Sequence, residues 1–266
     1  MAATSGFFDA ALLRQAMSMS GTAAFCHNAP PVISCSFARG KAMLYNCILF
    51  DADDTLFHFD AFAGLQQLFS NYQLAFDQAE FQRYQQLNLP LWQQYQAGTI
   101  NAEQLQSQRF MPYANQLGVA AAQLNQEFLL TMADICTLLP GAKELLQALS
   151  GKVQLGIITN GFTQMQQLRL ERCDVAHFFE TLVISEQVGV AKPHPAIFDH
   201  ALASLGHPAK AKTLMVGDNI IADVKGAQNA GLAACWLNHQ QTKAPDDIQP
   251  DYIVTSLSQL QQLLLA

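Results

Sequence analysis

An α/β protein built on a doubly wound parallel sheet is what this sequence predicts, on three observations. Short apolar runs rich in β-branched residues recur from Asn46 onward, helical patterns separate them, and one long helical stretch interrupts the alternation after the first run. Continuous apolar runs of this length suit strands covered on both faces. Strand and helix in alternation are the mark of parallel crossover units.

The elements follow in order. "CILF" (47–50) is the first strand. From Phe57 to Leu139, a stretch of about 80 residues carries helical spacing and almost no strand signal, too long for a plain loop. Within it, 62–73, 78–98, 101–118 and 121–136 each place apolar or aromatic residues at helix period, with Gln-rich faces expected in solvent. These segments are read as a helical domain inserted at 58–139, leaving 45–57 and 140–266 as the sheet domain. After Pro140-Gly141 the chain alternates again: helix 142–150, strand "VQLGIIT" (153–159), helix 163–173, strand "TLVIS" (181–185), helix 195–206, strand "TLMVG" (213–217) and helix 221–231. Two further strands, "AACWL" (233–237) and "YIVTS" (252–256), complete the sheet.

Composition narrows the partners. With 266 residues, half of them apolar, the chain can bury a core and carry an insertion. A formal charge of −7 leaves no excess of cations to neutralise a nucleic-acid polymer, though local cations can hold a small anion. The six cysteines are scattered without a Cys-x-x-Cys pair, so they read as free thiols in a reducing, cytoplasmic setting, and zinc is not expected. No run approaches the ~18 apolar residues of a membrane span. Residues 1–44, with Asp9 as their only acid, are read as a loosely ordered extension: Arg14 interrupts any secretory apolar core and no cleavage site follows.

In an open parallel sheet, ligands sit beyond the carboxyl ends of the strands. "DADDT" (51–55) follows the first strand, "TNG" (159–161) the second, and "GDN" (217–219) the fourth, with Asp223 one turn further on; "VAKPHP" (190–195) follows the third. Asp51, Asp53, Asp218 and Asp223 would crowd carboxylates into one crevice, where like charges oppose each other's ionisation. Hard oxygen ligands in that number point to Mg²⁺. Such an ion would draw in a phosphate, with Thr159 and the backbone N–H groups around Asn160 and Gly161 as donors and Lys192 as a second positive charge. In an extended segment Asp51 and Asp53 share a face while Asp54 points elsewhere. That spacing suits Asp51 as nucleophile and Asp53 as general acid, with Thr55 shaping the turn. Each piece alone is ordinary, since a Gly-Asp pair, a Thr-Asn-Gly turn and a strand-end Asp all have plain structural uses. The ordered set at four strand ends is much harder to obtain by chance.

Asp51-x-Asp53-x-Thr55, Thr159, Lys192 and Gly217-Asp218 with Asp223 resemble, in order, the four motifs of the haloacid dehalogenase superfamily. The resemblance covers roughly residues 46–260. It implies a Rossmann-like core, an aspartyl-phosphate on Asp51 and acid–base work by Asp53. It also implies Mg²⁺ (with Mn²⁺ or Co²⁺ as substitutes) on the Asp51 carboxylate, the Asp53 carbonyl and Asp218. Asp223 would support the metal or Lys192. The insertion matches the position of that family's first type of helical cap. A carboxylate at Asp53 favours phosphoesters over halides, because an alkoxide needs a proton to leave and a halide does not. Residues 155–202, 90–98 and 135–142 further resemble bacterial pyrimidine 5′-nucleotidases, which implies dUMP, UMP, dTMP or non-canonical pyrimidine monophosphates as substrates. Phe62, Trp92 and Tyr95 are candidate base contacts. A sugar-phosphate phosphatase or phosphomutase would use the same motifs. A receiver-like Mg²⁺-binding module would be far shorter, and a catalytically silent binder would not need the intact set. The oligomeric state stays open.

Overall fold

The computed structural model describes residues 43–266. The expected extension falls, up to residue 42, outside the described residues; Met43 already packs against the sheet core. Strand β1 (Cys47–Phe50) is buried at every position. Ile48 and Phe50 enter the cluster under one face of the sheet, Cys47 and Leu49 the cluster under the other. Both faces being covered, the strand is apolar throughout instead of alternating.

The chain then forms β2 (Phe57–His58) and five helices: α1 (Ala61–Ser70), α2 (Gln78–Gln96), α3 (Ala102–Gln108), α4 (Met111–Leu117) and α5 (Ala121–Asp134). Asp60, Asp77 and Asn101 cap the first three, each side chain accepting a first-turn backbone N–H. The single helix expected over 101–118 is in fact two. Pro112 sits in the first turn of α4, where its missing N–H is harmless; in mid-helix it would orphan a carbonyl and clash with the preceding turn. The five helices bury a core of their own around Leu65, Phe69, Tyr84, Leu124 and Phe128, to which Phe162 and Met165 contribute from the sheet side. On its return the chain forms β3 (Thr137–Leu138), antiparallel to β2 with Phe57 opposite Leu138. This two-residue pair was not expected, because strands so short carry no readable period.

The rest alternates: α6 (Ala142–Leu149), β4 (Gln154–Thr159), α7 (Thr163–Arg172), β5 (Thr181–Ile184), α8 (Ser185–Val188), α9 (Pro195–Ser204) and β6 (Thr213–Gly217). A π-helical turn, Ile220–Lys225, then leads into α10 (Gly226–Asn229), β7 (Ala233–Leu237), β8 (Tyr252–Val254) and α11 (Leu257–Leu265). The six-stranded sheet has the order β5-β4-β1-β6-β7-β8, and all its pairings are parallel. Leu145 and Leu149 of α6 and Leu257 and Leu260 of α11 cover one face; Ile197 and Phe198 of α9 and Ala227 of α10 cover the other. The order reverses at β1, so the chain ends of β1, β4 and β6 open one crevice between them. The helix expected over 221–231 begins instead as the π turn, a form that collects at functional sites, and Asp223 lies within it.

Candidate active site

One buried ammonium organises the crevice. Lys192, 2% exposed, donates to Asp51 Oδ1 at 2.5 Å, to Asp223 Oδ1 at 2.6 Å and to the Ile158 carbonyl at 2.8 Å. An ammonium carries three protons, and all three are used. The acceptors come from the end of β1, from β4 and from the π turn after β6. The lysine's own backbone is fixed by Asn160, whose Oδ1 accepts from Lys192 N at 2.8 Å and whose Nδ2 donates to Lys192 O at 2.9 Å. Burial pulls the ammonium's pKa down, but Asp223 and Asp51 outweigh it and hold the group above its ordinary range. Lys192 is charged at any physiological pH.

Asp218 is held from two sides. Buried Thr55 Oγ1 accepts from Asp218 N at 3.1 Å and donates to Asp218 Oδ1 at 3.4 Å. Trp236 Nε1 donates to the Asp218 carbonyl at 2.7 Å. The preceding Gly217 has no room for a side chain, since a Cβ there would collide with the Asp223 carboxylate. Asp223 Oδ2 accepts from Asn219 N at 3.0 Å. Carboxylate oxygens of Asp51, Asp218 and Asp223 all lie within 4.8 Å of one another. Burial, with Asp223 and Asp53 adding to it and Lys192 opposing, pushes Asp51 up to about 7. Burial and then the charges of Asp51 and Asp223 push Asp218 up to about 8.

These observations fit a hard divalent cation. Four carboxylates (Asp51, Asp53, Asp218, Asp223) meet two cations (Lys192, Arg169), so full ionisation leaves two negative charges. Asp51 and Asp218 have oxygens to offer, whereas both Asp223 oxygens are engaged, by Lys192 and by Asn219 N. Asp223 is thus a support and not a first choice of ligand.

Thr159, buried at the end of β4, accepts from Gly161 N at 3.0 Å. Two donors differ here from expectation. The Gly161 N–H, read as a phosphate donor, is satisfied by Thr159, and the Lys192 protons, read as meeting phosphoryl oxygens, are all spent on protein acceptors. Buried donors find partners locally. Asp54 sits at φ 51°, its Oδ1 accepting from Phe59 N at 3.2 Å, so it fastens the turn and does not join Lys192. Asp53 has a partner that the sequence reading missed: Arg169 Nη1 donates to its Oδ1 at 2.5 Å. The signal was present, since Arg169 falls on the same stripe of α7 as buried Met165 and Leu170. Of the candidate base contacts, Phe62 packs on Phe76 and Phe81, Trp92 on Tyr95 and Phe162, and Tyr95 donates to Ser185 Oγ at 2.7 Å. Two cavities flank the site. One of about 400 Å³ is lined by Asp54, His58, Asp218, Trp236 and His239. A larger one, about 1150 Å³, lies between Tyr95, Asn125, Phe162 and Glu186 and touches none of the clustered carboxylates.

Doubly wound sheet, clustered strand-end aspartates and buried lysine together fit a hydrolase of the α/β class. The family model for haloacid dehalogenase-like hydrolases matches residues 45–231, and the chain belongs to that family. It is 50% identical over 222 residues to the pyrimidine 5′-nucleotidase YjjG of Escherichia coli, covering 84% of this chain and 99% of that protein. It is 32% identical to the pyrimidine 5′-nucleotidase PynA of Streptococcus pneumoniae, over 82% of this chain and 94% of that one. Among solved structures, the putative HAD-hydrolase YfnB of Bacillus subtilis, bound to magnesium, superposes with a TM-score of 0.72 at 29% identity, covering 83% of this chain and 98% of that one.

The raised acids set a pH dependence. Folded Asp51 and Asp218 hold protons to about 7 and about 8, the unfolded chain only to about 4. Between those values the folded state binds more protons, so the metal-free protein loses stability as pH rises from about 4 to about 8. Magnesium should therefore raise the melting temperature more at about pH 8 than at about pH 5.5. Equal shifts at both pH values, measured against EDTA, would count against the assignment.

Proposed function

We propose that the protein is a Mg²⁺-dependent phosphatase that hydrolyses nucleoside 5′-monophosphates, pyrimidine nucleotides foremost, through an aspartyl-phosphate on Asp51. The observation that carries the reading is the carboxylate of Asp51, presented at the end of β1 and clamped by Lys192. The 50% identity to a pyrimidine 5′-nucleotidase supports the substrate class. An oxygen of Asp51 forms a bond to phosphorus as the P–O5′ bond breaks. Asp53 gives its proton to O5′, and the nucleoside leaves as a neutral alcohol. Asp53 then takes a proton from the water that attacks phosphorus, and inorganic phosphate departs with Asp51 regenerated.

Lys192 keeps Asp51 oriented and offsets its charge. Thr159 and the backbone of Asn160 stand on the phosphoryl side of the crevice, while the Gly161 N–H is held by Thr159. Asp51, Asp218 and the Asp53 carbonyl would hold the metal, with Asp223 behind them. When bound, Mg²⁺ supplies positive charge against the phosphoryl oxygens and favours the ionised form of Asp51. The helical segment 58–139 serves as the cap that covers the nucleoside and keeps bulk water out.

Purified protein assayed on nucleoside and sugar monophosphates should release phosphate fastest from pyrimidine nucleotides, and EDTA should abolish it. Asp51→Asn should lower kcat by at least about 10⁴-fold, and Asp53→Asn by about 10²–10⁴-fold. Turnover surviving Asp51→Asn would remove the nucleophile; preference for hexose phosphates would overturn the substrate class while leaving the chemistry.

A further inference from the structure

The acid–base carboxylate is not left to find its own rotamer. Arg169 is 1% exposed and Asp53 is 30% exposed, so a buried cation holds a half-open acid by one oxygen, Oδ1. The guanidinium is itself fixed on two other sides. Its Nη2 donates to Gln166 Oε1 at 2.5 Å, one turn earlier on α7, and its face lies 4.4 Å from the centroid of the Phe57 ring. Phe57 begins β2 and bridges to Asp53 within the same tight loop, where Asp54 N donates to Phe57 O at 2.8 Å and Phe57 N to Ala52 O at 3.0 Å. Gln166 is wedged in turn, since a Cβ on Gly161 would collide with its amide. A chain of contacts therefore runs from the Thr159–Gly161 loop through Gln166 and Arg169 to the Asp53 carboxyl.

We infer that Arg169 is a positioning residue, which holds Asp53 through Oδ1 and leaves Oδ2 to exchange the proton with the leaving oxygen and with water. The inference rests on the phosphatase reading above. Planar and doubly engaged, a guanidinium can fix the orientation of a carboxylate as well as attract it, which a lysine ammonium cannot do equally. The burial of a charge on the apolar stripe of α7 is costly unless the charge is paired, and Asp53 is the one acid that the described ion pairs give it.

The role separates from mere packing by the leaving group. An alkoxide such as O5′ must be protonated to depart, whereas a dinitrophenolate departs unaided, so only the first depends on Asp53. The value of kcat/KM, which reports steps up to leaving-group departure, is to be measured for a pyrimidine nucleoside 5′-monophosphate and for 2,4-dinitrophenyl phosphate. Arg169→Met should cost the nucleotide about 100-fold more than the aryl ester. Arg169→Lys, which keeps the buried charge, should show a smaller preference of about 10-fold in the same sense. In an Asp53→Asn background, Arg169→Met should change nucleotide turnover by less than about 3-fold. Equal losses on both esters in a variant that still melts cooperatively, or additive losses with Asp53→Asn, would overturn the inference. Wild-type protein that leaves both esters intact would instead overturn the phosphatase reading on which it rests.

Discussion

The crevice depends on a lysine ammonium that has been taken out of water. Removing Lys192 from solvent is costly, and the cost is offset only because three acceptors meet its three protons. Two of those acceptors are carboxylates that would themselves be unstable where they are without it. The triad therefore works in both directions: the lysine makes buried Asp51 and Asp223 tolerable, and they keep it charged. Losing one partner of such a cluster costs about 3–5 kcal/mol, because a charge is left uncompensated. The partners are 141 and 31 residues from Lys192 in sequence. The cluster thus forms only when β1, β4 and β6 are correctly ordered, and it ties chemistry to topology.

The lysine does not neutralise the site. Asp218 and Asp53 remain, and the second cation, Arg169, serves only Asp53. What is left over sits on Asp51 and Asp218, the two acids whose protonation persists to about 7 and about 8. Burial raises both, so a divalent ion held there would be opposed by protons at low pH and favoured as the two acids ionise. The two residues around Asp218 that do not ionise, Thr55 and Trp236, matter because they hold its backbone and one oxygen in place by hydrogen bonds alone.

What the sequence made legible follows from where its signals lie. Strands buried on both faces leave unbroken apolar runs, and the ligands of an open sheet follow those runs, so Asp51, Thr159, Lys192 and Asp218 could be placed without coordinates. Less was visible wherever a residue's role is decided by the opposite side of the fold. Arg169 reads as one more charge on a polar helix until its stripe is compared with Met165 and Leu170. Trp236 reads as an ordinary strand aromatic, and only the pairing of β7 with β6 brings its indole to the Asp218 carbonyl. The crossover pair β2–β3 spans two residues on each strand and so has no period to detect. The Gly161 N–H was expected to face a ligand because the backbone alone suggests it; the Thr159 hydroxyl takes it instead.

Helix α7 connects these parts. Its first N–H, at Thr163, donates to Glu186 Oε2 at 2.8 Å, and Glu186 Oε1 accepts from Gln106 of α3 at 2.7 Å. Its middle carries Gln166 and Arg169 to Asp53, and its last turn pairs Arg172 with Asp134 at the end of α5 at 2.6 Å. Every turn of this one helix thus touches either the inserted helices or the reacting acids. The side chain of Asp53 and the inserted helices are therefore fastened to the same helix, the first through Arg169 and the second through Arg172.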